Sequence, residues 1–544
     1  MVLALKTKSL RRLRFRIRRR WARRGEPHEV FLSAGAEFLP YRGAFAYFLR
    51  RPTGFDHIDA RLANLRIATS LLQECDVTYF LVEELGYGRT YLGIDGDSTE
   101  LVRAAFAEAA RELPITIRTR WGRDGEIVAI EVHQKYIVPT TGQRFASRFS
   151  CVLEPWSPDE FTGAWAAPRL NGRVADLSET ARSQVIDVDV GGLALPSFWE
   201  LRMPSIFDIS FPIDVVYMWV DGADPAWQQR KMARLGEEIA GLSAEAVSAV
   251  RFDQSDELRY SLRTLERYAP WVRNVFLVTD RQQPAWLDPS GRVTLVDHRE
   301  ILPAEAIPCF NSHAITAGLH RIEGLSEHFL LFNDDVMLGR LVAPQDFFAS
   351  NGAAKFFPSK AALPSRTDAQ EDPPVVGARR RSAQIVAELT GLEPRFGFKH
   401  TPVAFQRSLL GELAASIPAW RSTELAPFRS SRDVVPEWLH HWIGYARGRC
   451  VPAHIEYGYF DIGNSAAVKQ LGSISRKAVR PAVLCVNDVT DDLVDGRHRH
   501  EVLKGMLELM FPWESDAERA SSVRDRLHRT DGHHPVPLSE DGAV

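Results

Sequence analysis

The sequence predicts an α/β protein: a mostly parallel sheet in the larger, later part of the chain, preceded by a smaller α+β domain. Two observations predict it. From residue 213 to residue 332, three apolar runs at 214–220, 275–279 and 329–332 alternate with helical stretches, the βαβ pattern of a parallel sheet whose ligands sit at strand C-terminal ends. Before that, from residue 59 to about 211, helices and strands mix without such alternation. The 544 residues, 45% apolar and 25% charged with 13 Trp and 29 Phe, can bury a sizeable core, which excludes collagen-like, coiled-coil and wholly disordered classes.

In the first domain, expected over residues 50–211, Leu62, Leu65, Ala68 and Leu72 recur at helical spacing, and residues 77–82 are a β-branched and aromatic strand. A Gly-rich turn at Gly86 and Gly88 leads to a strand at 91–94. Ser98 is placed to cap a helix carrying Val102, Ala105, Phe106 and Ala109 on one face, and strands follow near 127–132 and 145–153. Gly93 and Gly96 with Asp95 and Asp97 can form a phosphate or metal loop, or simply a turn. In the second domain, expected over 212–515, Ser255 is placed to cap a helix with Asp256 and Glu257 in its first turn and Leu258, Leu262, Leu265 and Ala269 buried. Residues 357–381 lack a period, end in three arginines and read as a lid-like loop. Residues 433–445 are helical, 483–486 form a short strand, and 516–544 are a polar tail.

Charge is uneven along the chain. Residues 1–24 hold eleven Lys or Arg and no acid, so a chain of net −3 has a body of net −14. Such a body argues against a nucleic-acid partner. The basic segment is either a solvated tail or an amphipathic helix on an anionic membrane surface. No window approaches the roughly 18 apolar residues of a membrane span, and no apolar h-region marks a secretory signal. Five widely spaced cysteines without a CxxC pair indicate reduced thiols, no disulfide framework and no zinc site. The expected location is cytoplasmic, at most peripheral at the inner face of a membrane.

Asn333-Asp334-Asp335 ends an apolar strand, and adjacent carboxylates at such a terminus can hold Mg²⁺ against a diphosphate, although the triplet is also a good turn sequence. Asp221, Asp280 and Asp488 also follow predicted strands, so several carboxylates are expected to converge on one edge. Arg429 precedes a helix start near Asp433, and Arg259, Arg263, Arg281 and Arg321 flank the strand ends, where guanidinium groups match phosphate. Among His313, His320, His400 and the pair His440-His441, the pair lies on a Trp-rich helix and reads as packing. His400, on a non-helical segment, is the better candidate base.

The segments IDVVYMWVDGADP from Ile213, DELRYSLRTLERYAPWVRNVFLVTDRQQPAW from Asp256, NSHAITAGLHRIEGLSEHFLLFNDDVMLG from Asn311, KHTP, FRSSRD and CVND at Cys485 resemble, in order, the four conserved regions of the Stealth sugar-phosphate transferases. The match runs over roughly residues 213–490, and the chain most resembles the actinobacterial exopolysaccharide phosphotransferases. The resemblance implies a Rossmann-like, GT-A-like catalytic domain. It also implies transfer of a sugar 1-phosphate, typically from UDP-GlcNAc, to a glycan hydroxyl with release of UMP, in capsule or exopolysaccharide synthesis.

Carried over motif by motif, the functional positions fall on Asp221, His320, Arg321, Asn333, Asp334, Asp335, His400, Arg429, Asn487 and Asp488. The expected roles are Asp334, Asp335 and Asp488 for Mg²⁺ or Mn²⁺, and Asp221, His320, Asp335, His400 and Arg429 for catalysis. Arg259, Arg281, Arg321, Asn333 and Asn487 are expected on substrate. The expected partners are a nucleotide-sugar donor and a polysaccharide or oligosaccharide acceptor. Two other readings stand beside this one: a metal-dependent glycosyltransferase using the same donor, and a non-catalytic polysaccharide-associated scaffold.

Overall fold

A computed structural model of the protein describes residues 28–84, 86, 88–237, 256–288, 291–362, 373–487 and 493–519. The basic segment 1–24, Ser255, Asp488, the middle of the expected lid and most of the polar tail lie outside the described residues. The chain divides into two compact units, the first ending at Ser205 and also including Arg476–Ala478, the second holding the remainder from Ile206.

The first unit begins earlier than expected, because His28–Ser33 is helical and Glu37–Tyr41 pairs with Ala44–Arg50 in a four-stranded sheet. Its main sheet sets Thr90–Asp95 parallel to Cys151–Pro158. Two helices, His57–Glu74 and Thr99–Glu112, bury Leu65, Leu72, Val102 and Phe106 against Leu81, Leu92, Ile130 and Leu153. The Gly93–Asp97 loop is turn chemistry. Asp95 Oδ1 accepts from the Asp97 amide at 3.0 Å, and a side chain at Gly93 would strike the Phe80 ring. Ser98 stands at the N-cap of the following helix without a side-chain capping bond.

The second unit is built on a five-stranded sheet. Its strands are β1 (Ile213–Met218), β2 (Val275–Thr279), β3 (Val293–Asp297), β4 (His328–Asn333) and β6 (Val403–Gln406), arranged β3-β2-β1-β4-β6. The first three pairings are parallel and β6 runs antiparallel to β4. The α/β expectation therefore holds, with β3 and β6 added to the three strands read from the sequence. Those two are short or edge strands without the unbroken apolar run of a strand buried on both faces. Val215, Val216 and Tyr217 of β1 are wholly buried, and Asp214 at its start is held by Arg273 Nη2 at 2.6 Å and the Ser326 amide at 2.7 Å.

A second, three-stranded sheet takes β5 (Val336–Leu338), β8 (Val483–Asn487) and β7 (Tyr457–Asp461) in the order β5-β8-β7. The strand before Asp488 thus belongs here and not in the main sheet. Helix α1 (Glu257–Tyr268) buries Leu258, Leu262 and Leu265 as expected. Its N-cap is Asp256, in the left-handed region at φ 62° and ion-paired to Lys504 at 2.6 Å. The helix also clamps β5. Ser261 Oγ donates to Val336 O at 2.5 Å, and the Leu338 amide donates to Thr264 Oγ1 at 3.0 Å.

Three further expectations change. Arg379, Arg380 and Arg381 lie on helix α3 (Pro374–Thr390), whose pattern the preceding prolines and charges obscured. Helix α4 (Pro436–Ala446) starts after Asp433, with Pro436 at its first position. The start of the polar tail is anchored: the Asp288 amide donates to Ala517 O at 2.8 Å, and Glu518 is buried.

Candidate active site

The apolar run of β4, Phe329 to Phe332, is buried, and the chain then reverses through Asn333, Asp334 and Asp335 into β5. Asn333 is exposed and both aspartates are half-buried. Pairing of β5 with β8 fixes this turn. Val336 faces Cys485, the Val486 amide donates to Asp335 O at 2.9 Å, and Cys485 Sγ donates to Asp335 Oδ2 at 3.4 Å. Burial first, and then the Asp334 charge, push the Asp335 carboxyl up to about 7. Its Oδ1 is buried with no hydrogen-bond partner.

The neighbouring strand ends extend the site. Tyr459 on β7 is the register partner of Cys485 on β8, two residues before Asn487, and its ring centroid lies 5.8 Å from that of His400. The His400 side chain is exposed, and partial desolvation by the surrounding protein, then the positive charge of Arg379 on α3, lower its imidazole from the ordinary value. Asp334, Asp335, Asn487 and His400 are therefore linked through two residues the sequence reading did not select, Cys485 and Tyr459. Cys485 lies inside the CVND segment, so that segment was the available signal; Tyr459 had none.

Arg429 is placed by helix α2 (Ser312–Gly318). Its Nη2 donates to Ser312 Oγ at 2.5 Å and its Nε at 3.2 Å, over an aromatic base in which Phe428 stacks on Phe310 at 5.3 Å and Trp227 meets Phe310 edge-on at 5.2 Å. Helix α2 reaches the same strand ends as the carboxylates. Thr316 Oγ1 donates to Met218 Sδ at 3.6 Å, and Met218 is the register partner of Asn333.

Other predicted residues make the following contacts. Asp221 Oδ1 accepts from the Ala223 amide at 2.8 Å, an Asx turn, while Gln282 brackets its backbone. Asp280 is buried and ion-paired with Arg230 at 2.9 Å. Arg281 is exposed in the left-handed region, φ 57°, with its amide donating to Asp297 Oδ2 at 3.1 Å. Arg259 was expected on substrate, but it pairs with Glu518, which Arg263 also holds at 2.6 Å, so it anchors the C-terminal segment.

His320 and Arg321 lie past the C-terminal end of α2, opposite Ser312. His320 Nδ1 is 3.0 Å from Ala317 O, and Arg321 pairs with Glu424 at 2.7 Å. His440 and His441 are core residues, as read from the helix: His440 Nε2 accepts from the Gln406 amide at 3.0 Å, and His441 Nε2 lies 2.9 Å from Ala404 O.

Among the described residues no group of three or more His, Cys, Asp or Glu is arranged to hold a metal ion. The Asp334–Asp335 pair, with one buried carboxylate oxygen lacking a partner, still fits Mg²⁺, which takes one or two carboxylates and completes its shell with water and phosphate oxygens.

Two family models match the chain, Stealth protein conserved region 1 over residues 211–238 and Stealth protein conserved region 2 over residues 251–356. An exopolysaccharide phosphotransferase of Streptomyces coelicolor, SCO6023, is 36% identical over 93% of this chain and 89% of its own length. The capsular polysaccharide phosphotransferase LcbA of Aeromonas hydrophila is 33% identical over 55% of this chain and 85% of its own. The exopolysaccharide phosphotransferase CpsY of Mycobacterium tuberculosis is 28% identical over 88% of this chain and 93% of its own. A crystal structure of the galactosyltransferase LgtC aligns over 54% of this chain and 95% of its own at 12% identity and a TM-score of 0.27, a likeness from which nothing follows.

Proposed function

The chain belongs to the Stealth family of polysaccharide phosphotransferases, and from that premise we propose that it transfers GlcNAc 1-phosphate from UDP-GlcNAc to a hydroxyl of a glycan acceptor, releasing UMP. The acceptor oxygen bonds to the sugar-bearing phosphorus, the bond from that phosphorus to the bridging oxygen breaks, and the bridging oxygen leaves with UMP. The observation that carries this reading is the Asp334–Asp335 pair at the end of β4, with a buried Asp335 oxygen that lacks a partner.

In this reading Asp334 and Asp335 hold Mg²⁺ or Mn²⁺, which when bound offsets the charge of the donor diphosphate. Arg429, held by Ser312, faces the phosphoryl oxygens as their charge develops. His400, whose imidazole is lowered from its ordinary value by partial desolvation and Arg379, takes the acceptor proton. Asn333 and Asn487 border the carboxylates and supply polar contacts to donor or acceptor. Among the described residues no helix is long and apolar enough to cross a membrane, and the eleven basic residues in 1–24 supply the attraction for a peripheral attachment to an anionic surface.

Phosphorus NMR on the protein with UDP-GlcNAc, Mg²⁺ and an oligosaccharide panel tests the reading. A phosphodiester resonance with UMP, abolished by EDTA, is expected. UDP with a phosphorus-free product would instead establish a glycosyltransferase, the alternative that shares the donor.

A further inference from the structure

Asp433 plays no part in the chemistry above, yet it is 2% exposed and sits at the centre of the polar contacts that place Arg429. Its Oδ2 accepts from Asn311 Nδ2 at 2.9 Å and from the Ser430 amide at 3.0 Å, and lies 3.4 Å from His313 Nδ1. Asn311, wholly buried, caps α2 through its side-chain oxygen, which accepts from the His313 amide at 3.1 Å. Its amide nitrogen also reaches Ala426 O at 3.1 Å and Phe428 O at 3.3 Å, and the Phe310 amide donates to Pro427 O at 2.7 Å.

The segment from Ala426 to Ser430 is thus tied to the start of α2 on both sides of Arg429, and one carboxylate oxygen closes the tie. The contacts of Asp433 and Asn311 with one another, with His313 and with Phe428 are buried and those to Ala426 and Ser430 partly so, so losing the carboxylate leaves buried donors unsatisfied.

We propose that Asp433 is a positioning residue for phosphotransfer: one buried oxygen locks the Arg429 segment to the N-terminus of α2 and sets His313 beside it. The proposal rests on the reading of Arg429 given above, because it is through Arg429 that Asp433 acts. A shift of about 1 Å in a group that meets the transition state costs on the order of 10²-fold in rate. Replacement of Asp433 should therefore lower turnover more than donor affinity.

The experiment combines a double-mutant cycle with hydrogen exchange. D433N is expected to lower kcat for phosphodiester formation roughly 10- to 100-fold with little change in KM for UDP-GlcNAc, and to speed amide exchange across residues 426–433 but not in β1. In the R429A background D433N should add no further loss, since both act through one guanidinium. D433E keeps the charge but displaces the oxygen, and gives the same pattern should D433N fold poorly. Losses that multiply in the double variant, a kcat within twofold of wild type, or unchanged exchange across 426–433 would each overturn the proposal. A wild-type protein inactive with every donor would sink the functional reading instead, while the exchange comparison still decides whether Asp433 holds the Arg429 segment.

Discussion

Cys485 on β8 donates its thiol hydrogen to Asp335 Oδ2 across the β5–β8 pairing, 3.4 Å away, and leaves Oδ1 of the same carboxylate buried without a partner. Burial and the Asp335 charge push the thiol well above its ordinary range, so it remains a protonated donor. Strand pairing thereby fixes which carboxylate oxygen is left for a cation.

Divalent-cation binding is expected to depend on the carboxylate pair. D335N should abolish saturable Mn²⁺ binding, read by electron paramagnetic resonance, and lower phosphotransfer by roughly 10²- to 10³-fold. C485S, which preserves a donor, should bind Mn²⁺ nearly as wild type does. Undiminished Mn²⁺ binding by D335N would remove the metal from this site.

His400 and His320 should separate cleanly. H400A is expected to lose roughly 10²- to 10⁴-fold in kcat, whereas H320A, at the far end of α2, should retain turnover once folded. Because partial desolvation and Arg379 lower the His400 value, the acid limb of the rate should lie below the free-imidazole value. An acid limb centred near the free-imidazole value would argue against His400.

Glu518 is the stability counterpart of the site. Buried at 2% and held by Arg263, itself 3% exposed, it closes the C-terminal segment onto α1. E518A strands the Arg263 guanidinium and should cost about 3–5 kcal/mol in denaturant unfolding. Activity of the protein that remains folded should be unchanged. A loss under 1 kcal/mol would show the ion pair to be dispensable.

Glu266 gives a pH dependence of stability. Burial, and then the Asp516 charge, raise its carboxyl to about 7. The folded state then keeps a proton that the unfolded chain releases near its ordinary value. Stability is full below that value, declines as pH rises toward about 7, and is level above. E266Q should be neutral near pH 4 and stabilising above pH 7, by at most about 3 kcal/mol. Identical melting shifts at both pH values would refute the assignment.

Much of this was readable along the chain because it is local. The apolar runs of β1, β2 and β4, the helical face of Leu258, Leu262 and Leu265, and the carboxylates at the end of β4 all follow from spacing and side-chain chemistry within a few residues. The β3 and β6 strands were missed because edge pairing asks less of their sequence, and α3 because Pro373 and Pro374 read as loop residues before they read as a helix start. The glutamate partners of Arg259 and Arg321 were not legible, because a guanidinium presents the same fork to a buried glutamate as to a phosphate.

The sequence by itself determined the α/β class, the order of the family's motifs and the Asn333-Asp334-Asp335 turn, since each depends on neighbours in the chain. Only the tertiary structure decided that Cys485 meets Asp335, 150 residues away, that Arg429 rests on Ser312, 117 residues away, and that Arg259 belongs to Glu518 instead. Partners so far apart are chosen by strand pairing and helix packing, where each burial must satisfy a donor or a charge, and no local pattern encodes which one.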